Sequence, residues 1–478
     1  MKLFDKFNSS IEVKSATAYM FSSVFSRGLA IITVPIFTRI MSTEQMGVIN
    51  LYNSWYSIGS VVATLALTSG GFVVAMKEYE EKRDQYQSSI LSLTSIITFF
   101  LMIFYFLFYD LSNNIIGLPS SLMALMLIGF LVAPARDFWL ARQRYEYKYK
   151  FPTIVTILGA ILASLFSVIA VLMAKKLGTN NTAIYRLFAN YFIIYGVAGI
   201  IWIHTFIKGK TFYNKEYWKK SLALSLPLVG YNIAAQILNV SDKVMIAKMI
   251  GKSAVGIYGI LFTVSSLSLM VWQAINSSFI PYLFRNMENK VSKIKKVSVE
   301  LLFLYSCVAI LLTLLAPEIV WILAPKEYYE AIYIMPPVAA GIFFTSLSQL
   351  YSNICVYFKK TKYVMYPAII AAIVNIVLNS LYIPLYGYIA AAYTTLFSYI
   401  LWAGIQILFA NYTSKRFGKL TWKIYDDKKI IVLSIITIVI SLSGLLLYHQ
   451  MIIRYLFILL LGVFSIVYLK KILKTKNK

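Results

Sequence analysis

Long apolar runs alternate with short polar breaks along the whole chain. Fourteen runs are legible, at 15–38, 48–76, 89–109, 118–135, 152–174, 182–205, 221–247, 254–281, 300–324, 331–358, 364–384, 388–411, 430–448 and 453–469. A hydrocarbon core of ~30 Å takes ~20 helical residues, and nearly all of the runs reach that length. The pattern predicts an all-α integral membrane protein of about fourteen transmembrane helices. Numbering the connections alternately sorts the basic residues. The two termini and every second loop hold 35 of the 45 Lys and Arg. Eight lie in or beside the other loops: Arg39, Lys175, Lys176, Lys243, Lys248, Lys252, Lys326 and Arg454. Arg27 and Arg186 lie inside spans. Positive loops stay cytoplasmic, so both termini are expected in the cytoplasm and the chain in the cytoplasmic membrane.

Composition agrees. Hydrophobic residues make up 59% and charged residues 13%, with a mean hydropathy of +0.72. A soluble chain of this size could not solvate such a surface. The net charge of +26 is spread over loops such as 136–150 and 208–220. Topology and anionic headgroups account for it, and nucleic acid is not expected as a partner. Cys307 and Cys355 both fall in apolar runs and read as small core residues. Residues 1–14, MKLFDKFNSSIEVK, lack the order of a signal peptide, so the first span is expected to remain as a membrane helix.

The chain repeats itself weakly. TRIMSTEQMGVINLY (38–52) can be laid on AKMIGKSAVGIYGIL (247–261), and KFPTIVTILGAILASL (150–165) on MYPAIIAAIVNIVLNS (365–380). Six spans separate the matched elements, so the repeat keeps its orientation. This predicts two six-helix bundles, 1–208 and 209–415, followed by 416–478 with two further helices and a tail. Paired repeats are the build of many secondary transporters, with the substrate site at the repeat interface. The loops are too short for an extramembrane catalytic domain, and none carries a phosphate-cradling glycine loop, so no enzyme is expected.

Arg27 is the leading candidate for chemistry. It stands twelve residues from Arg39 in the same span, a depth of ~18 Å. A central Arg costs at least ~2.5–3.5 kcal/mol on insertion scales, so it should face an internal cavity and an anionic partner, or a neighbouring acid or backbone carbonyls. Gly28 beside it permits close helix approach or a bend. Asn232, Gln236, Asn239 and Lys243 share a helix face. That stripe lines a wet lumen or glues helices together, and both readings stay open. Pairs at i,i+3 or i,i+4 recur in Gln273 and Asn276, Gln349 and Asn353, and Asn375 and Asn379. Amides of this kind suit hydroxyl-rich cargo. Arg186 is a further substrate-site candidate, although snorkelling to headgroups accounts for it more simply. Asp242 is expected to pair with Lys243, and spans 1–6 are read as lacking a mid-depth carboxylate. His204 and His449 show no metal-ligand spacing. Tyr52, Trp55 and Tyr56 read as an interfacial aromatic belt, with stacking on sugar as the alternative.

Three stretches carry a family likeness: TRIMSTEQMGVINLY, SDKVMIAKMIGKSAVGIYGILF (241–262) and VNIVLNSLYIPLYGYIAAAYTT (374–395). In their order and spacing the chain resembles the polysaccharide repeat-unit flippases of the multidrug/oligosaccharidyl-lipid/polysaccharide exporter superfamily. The resemblance implies two bundles in a V that opens alternately to each side, a cationic cavity, and a polyprenyl-diphosphate-linked oligosaccharide as cargo. It also implies membrane lipids, a polysaccharide polymerase and chain-length machinery as partners. No cofactor is expected, and a Na+ or H+ coupling ion stays open. The alternatives are a lipid-linked peptidoglycan-precursor flippase and a cation-coupled multidrug exporter.

Overall fold

The computed structural model describes residues 10–69, 71–287, 290–418 and 422–476. Most of the N-terminal segment weighed as a signal peptide, and the last two residues of the tail, lie outside the described residues. The described chain is helical and divides into two compact units, Met1–Val240 and Ser241–Lys478.

The first unit holds α1 (Ile11–Ile40), α2 (Thr43–Thr64), α3 (Gly71–Glu78), α4 (Arg83–Leu107), α5 (Tyr109–Ile116), α6 (Ser120–Tyr145), α7 (Lys150–Lys176) and α8 (Thr182–Gly209). Serine caps start its first two helices. The Ser10 side chain accepts from the Val13 amide at 3.4 Å, and Ser42 accepts from the Gln45 amide at 3.3 Å. Each satisfies an amide that the helix itself cannot, and Glu12 and Glu44 in the first turns add favourable charge. α8 packs on α4, α6 and α7, and α1 packs on α7.

α9 (Lys215–Met249) runs from the first unit into the second. It bends by 46° between Lys215–Leu226 and Leu228–Met249, at Pro227, which has no amide proton for the helical ladder. The second unit continues with α10 (Lys252–Asn286), α11 (Val291–Leu314), α12 (Ala316–Leu323), α13 (Met335–Tyr357), α14 (Lys362–Tyr386), α15 (Tyr388–Phe417), α16 (Asp427–Ser443) and α17 (Met451–Lys476). Twenty of the 23 residues of α13 are buried. A helix apolar all round belongs at a centre, and α10, α11, α15 and α16 surround it. Gly251 and Gly387 precede α10 and α15 at φ of 131° and 76°, a backbone region that favours glycine.

Ion pairs and buried acids attach the last two helices. Asp427, at the start of α16, accepts from Tyr351 of α13 at 2.6 Å and from Asn411 of α15 at 2.9 Å. Arg454 of α17 is 1% exposed and pairs with Glu318 of α12.

Eleven described helices are long and apolar enough to cross a membrane, or twelve with the bent α9. The two other expected spans fall short for different reasons. The described apolar part of α17, Met451–Ser465, is short. α2 is 22 residues long but is not apolar enough to count among these spans. The expected span 48–76 is also not continuous. Leu65 and Ala66 take φ of 46° and 51°, which side chains rarely adopt, and the chain turns there before α3. The expected loop 136–150 is corrected in the opposite sense, because α6 stays helical to Tyr145.

Candidate functional site

α1 has one narrow buried face and is otherwise largely exposed. Ser15, Ser22, Thr33 and Phe37 are buried. Phe21 and Ile32 stand exposed on a second, apolar face. Arg27 lies away from the buried face, with exposed Met20 and Val24 seven and three residues before it on the same side. It shares a strip with Ser23, Ala30 and Val34, spaced at four, three and four residues. The Arg27 side chain is exposed and has no ion pair or hydrogen bond among the described residues. The alternative of a carboxylate lock is therefore not realised within the described chain. Gly28 has nothing within 4 Å of an added Cβ, and α1 runs through it unbroken. It serves no close approach among the described residues.

α2 explains its own low hydropathy. Asn50, Asn53, Ser57, Ser60 and Thr64 recur every three or four residues and occupy one face. All five are partly or fully exposed. The Ser57, Ser60 and Thr64 hydroxyls donate to carbonyls of their own helix. Beside this face lie the tyrosines. Tyr52 is fully buried, with its hydroxyl 3.4 Å from that of Tyr195, and Trp55 donates to the Ile116 carbonyl at 3.1 Å. These contacts replace the expected interfacial belt with an internal cluster. Tyr56 and Tyr191 form its partly exposed front, with ring centroids 6.0 Å apart.

Two further charges lie within α6. Arg136 is partly buried and Asp137 is exposed, and neither has an ion-pair partner among the described residues. Asp137 lies in the last third of α6. The charges at the ends of α4, α6 and α8 behave differently. Arg142 bonds Asp84 at 2.5 Å and Glu146 at 2.8 Å, Lys148 bonds Glu146 at 2.6 Å, and Lys208 lies 3.4 Å from Asp84. Ends are cross-linked by ion pairs, whereas Arg27, Arg136 and Asp137 are left unpaired.

Arg186 packs against residues of α1 and α2. Its guanidinium sits 3.5 Å from the Phe37 ring centroid and 3.1 Å from the Met46 sulfur. The Ala183 amide donates to Gln45 at 2.9 Å. Together they pin α8 to the α1–α2 junction.

In the second unit a polar cluster surrounds Asp242, which is 1% exposed. Its carboxylate accepts from Tyr258 at 2.7 Å, Thr395 at 2.7 Å and Asn379 at 3.0 Å. Asn375 accepts from Ser241 at 2.6 Å and Asn379 at 3.1 Å, and donates to Thr395 at 3.1 Å. Thr394 donates to the Asn379 carbonyl oxygen. The expected Asp242–Lys243 pair is absent, and Lys243 lies 4.4 Å over the Phe262 ring instead. An isolated buried carboxylate is very costly. Three donors at hydrogen-bond distance offset that cost, at ~1.5–3 kcal/mol each. Asn375 and Asn379 are therefore committed to this cluster rather than to a lumen. Asn353 donates to Asn276 at 2.8 Å, so that pair joins α13 to α10. Gln273 is exposed, and Asn232, Gln236, Asn239 and Gln349 are partly buried.

The sequence profile of the polysaccharide biosynthesis protein family matches residues 13–287, more than half of the chain. The chain belongs to that family. A second profile, MatE, matches residues 227–381 of this polysaccharide biosynthesis protein. Among solved structures, lipid II flippase MurJ in an inward closed conformation is similar at a TM-score of 0.70 and 16% identity, over 98% of this chain and 100% of that one. An inward-facing multidrug resistance MATE transporter gives 0.63 and 12%, over 84% and 96%. A transporter from Pyrococcus furiosus gives 0.53 and 13%, over 87% and 98%. At these identities the likeness is one of fold. No curated protein sequence matches the chain. Profiles and folds together put this polysaccharide biosynthesis protein in the superfamily of multidrug and oligosaccharidyl-lipid exporters and flippases.

Sequence reasoning missed several residues of this family member. The α2 stripe was readable from its spacing but lay inside a run counted as apolar. Tyr191 and Tyr195 gave a weaker signal, because their role depends on α8 lying against α2.

Proposed function

We propose that the chain flips a polyprenyl-diphosphate-linked oligosaccharide from the inner to the outer leaflet of the cytoplasmic membrane, for cell-surface polysaccharide synthesis. The observation that carries this reading is Arg27 within α1, exposed and without an ion pair or hydrogen bond among the described residues. A cation so placed offsets a diphosphate while the polyprenyl tail stays in lipid. Residues 1–208 and 209–415 act as the two moving bundles, and 416–478 supplies the appended helices. The charge sorting of the loops supports cytoplasmic termini. With the membrane negative inside, outward movement of two negative charges gains ~4–5 kcal/mol per 100 mV. If a cation or proton also couples, buried Asp242 with its surrounding oxygens is the group it uses.

A lipid-linked peptidoglycan-precursor flippase is the second reading, favoured by the full-length likeness to lipid II flippase MurJ. Both cargoes carry a diphosphate. The test is flipping of fluorescent lipid-linked saccharides in proteoliposomes under imposed voltage. We expect the oligosaccharide lipid to move faster when the interior is negative, and Arg27→Ala to abolish most of the rate. Preferential movement of the peptidoglycan precursor supports the second reading. Export of organic cations with no lipid movement would overturn both.

A further inference from the structure

The tyrosines of the first unit form two ranks. Tyr52, Tyr195 and Phe130 are buried, at 0%, 7% and 6% exposure. Tyr56 and Tyr191 lie in front of them, partly exposed. The Tyr56 ring stacks on Phe130 at 5.3 Å, and the Tyr191 ring stacks on Tyr195 at 4.7 Å. The rear rank fixes the angle of the front rings, so the front is a rigid aromatic surface rather than a mobile one.

A polar group flanks that surface. The Tyr191 hydroxyl donates to the Asn53 carbonyl oxygen at 3.3 Å. This orients the amide and leaves the exposed Asn53 Nδ2 without a partner among the described residues. On α6, exposed Asp137 and partly buried Arg136 stand about two turns beyond Phe130, with Asp137 seven residues or ~10 Å along the helix. An exposed amide, an exposed carboxylate and the serine-rich face of α2 are too expensive to hold against hydrocarbon, so this surface faces water. A lipid-facing aromatic belt has no use for them.

Fixed aromatic faces beside a planar amide are the chemistry that recognises a pyranose. The ring carries C–H bonds on its faces, which rest on aromatic π-clouds. Its equatorial hydroxyls accept from amide N–H groups. An organic cation also suits tyrosines and an acid, but Arg136 beside Asp137 offsets the attraction it would need.

We propose that Tyr56, Tyr191 and Asn53 form a saccharide platform that takes one pyranose ring of the cargo, with exposed Asp137 farther along α6. This rests on the lipid-linked oligosaccharide reading and adds where the sugar, as distinct from the diphosphate, is held. Arg27 and the platform then divide the headgroup between them.

The test compares two fluorescent lipids in proteoliposomes of the full chain, polyprenyl diphosphate with and without its oligosaccharide. Tyr191→Leu keeps apolar volume but removes the ring face and the hydroxyl. We expect it to slow the glycosylated lipid about tenfold and leave the bare lipid within about twofold. Tyr191→Phe keeps the ring and should recover most of the rate. Equal slowing of both lipids would overturn the platform and assign Tyr191 a packing role. Saturation-transfer NMR with methyl hexosides on the reconstituted protein reads the platform without transport. Signal in wild type that is lost in Tyr191→Leu supports it, even if neither lipid is flipped. Signal unchanged by the substitution, or seen only with an organic cation probe such as tetraphenylphosphonium, overturns it.

Discussion

Gly129 leaves open the space into which Tyr195 puts its hydroxyl. A Cβ added at Gly129 would land on that oxygen and lie 2.9 Å from Cε2 of Tyr56. The same single atom would disturb both ranks of the aromatic cluster. Gly129→Ala should lower the stability of the purified protein by ~1–3 kcal/mol, the usual range for overpacking. Thermal unfolding in detergent measures this. An unchanged Tm would mean that the tyrosines swing aside at no cost.

Arg27 makes the opposite prediction. With no ion pair or hydrogen bond among the described residues, its removal should leave folding within ~0.5 kcal/mol of wild type. Transport should fall tenfold or more in Arg27→Ala and less in Arg27→Lys, which keeps the charge but not the planar fork. Reduced thermal stability with unaltered transport would assign the guanidinium a structural task.

Asp242→Asn keeps size and replaces one accepting oxygen with an NH2 that faces either the Asn379 amide or the Tyr258 and Thr395 hydroxyls. The expected loss is ~2–4 kcal/mol. Tyr258→Phe alone should cost ~1–2 kcal/mol. The double variant should cost less than the sum, because both substitutions break the same bond. Additive losses would show that Asp242 and Tyr258 are not coupled.

Glu146 predicts a pH dependence. Burial alone would raise its carboxyl, but hydrogen bonds and charges from Lys148 and Arg142 outweigh this and hold it below its ordinary value. A carboxyl lowered on folding lends stability above its unfolded value of ~4.3 and loses it as pH falls through the folded value. Wild-type Tm should therefore drop on acidification from about pH 5 to about pH 3. Glu146→Gln should begin lower and decline less. Parallel curves for the two proteins would reject the contribution.

Much of the fold was legible because membrane helices advertise themselves through length and apolarity. The Arg27 strip could be reached by counting residues along α1. The limits of the reading have physical causes. Hydropathy averages over a helix, so it counted 48–76 as one span and concealed both the polar face of α2 and its end at Leu65. Charge counting assigned Arg136 and Asp137 to a loop because it locates helix ends by the first cluster of charge, whereas α6 carries that cluster within its length. Asn375 and Asn379 looked like lumen amides since spacing alone does not say what a face meets. Their partners, Asp242 and Thr395, come from sequence positions far apart.

α2 also bears on how the protein is made. It is a 22-residue helix whose polar face gains nothing from lipid. Besides each other, its tyrosines find their ring partners on α6 and α8, which begin at Ser120 and Thr182. α2 is therefore expected to be secured only once α6 and α8 have been synthesised and can cover its rings.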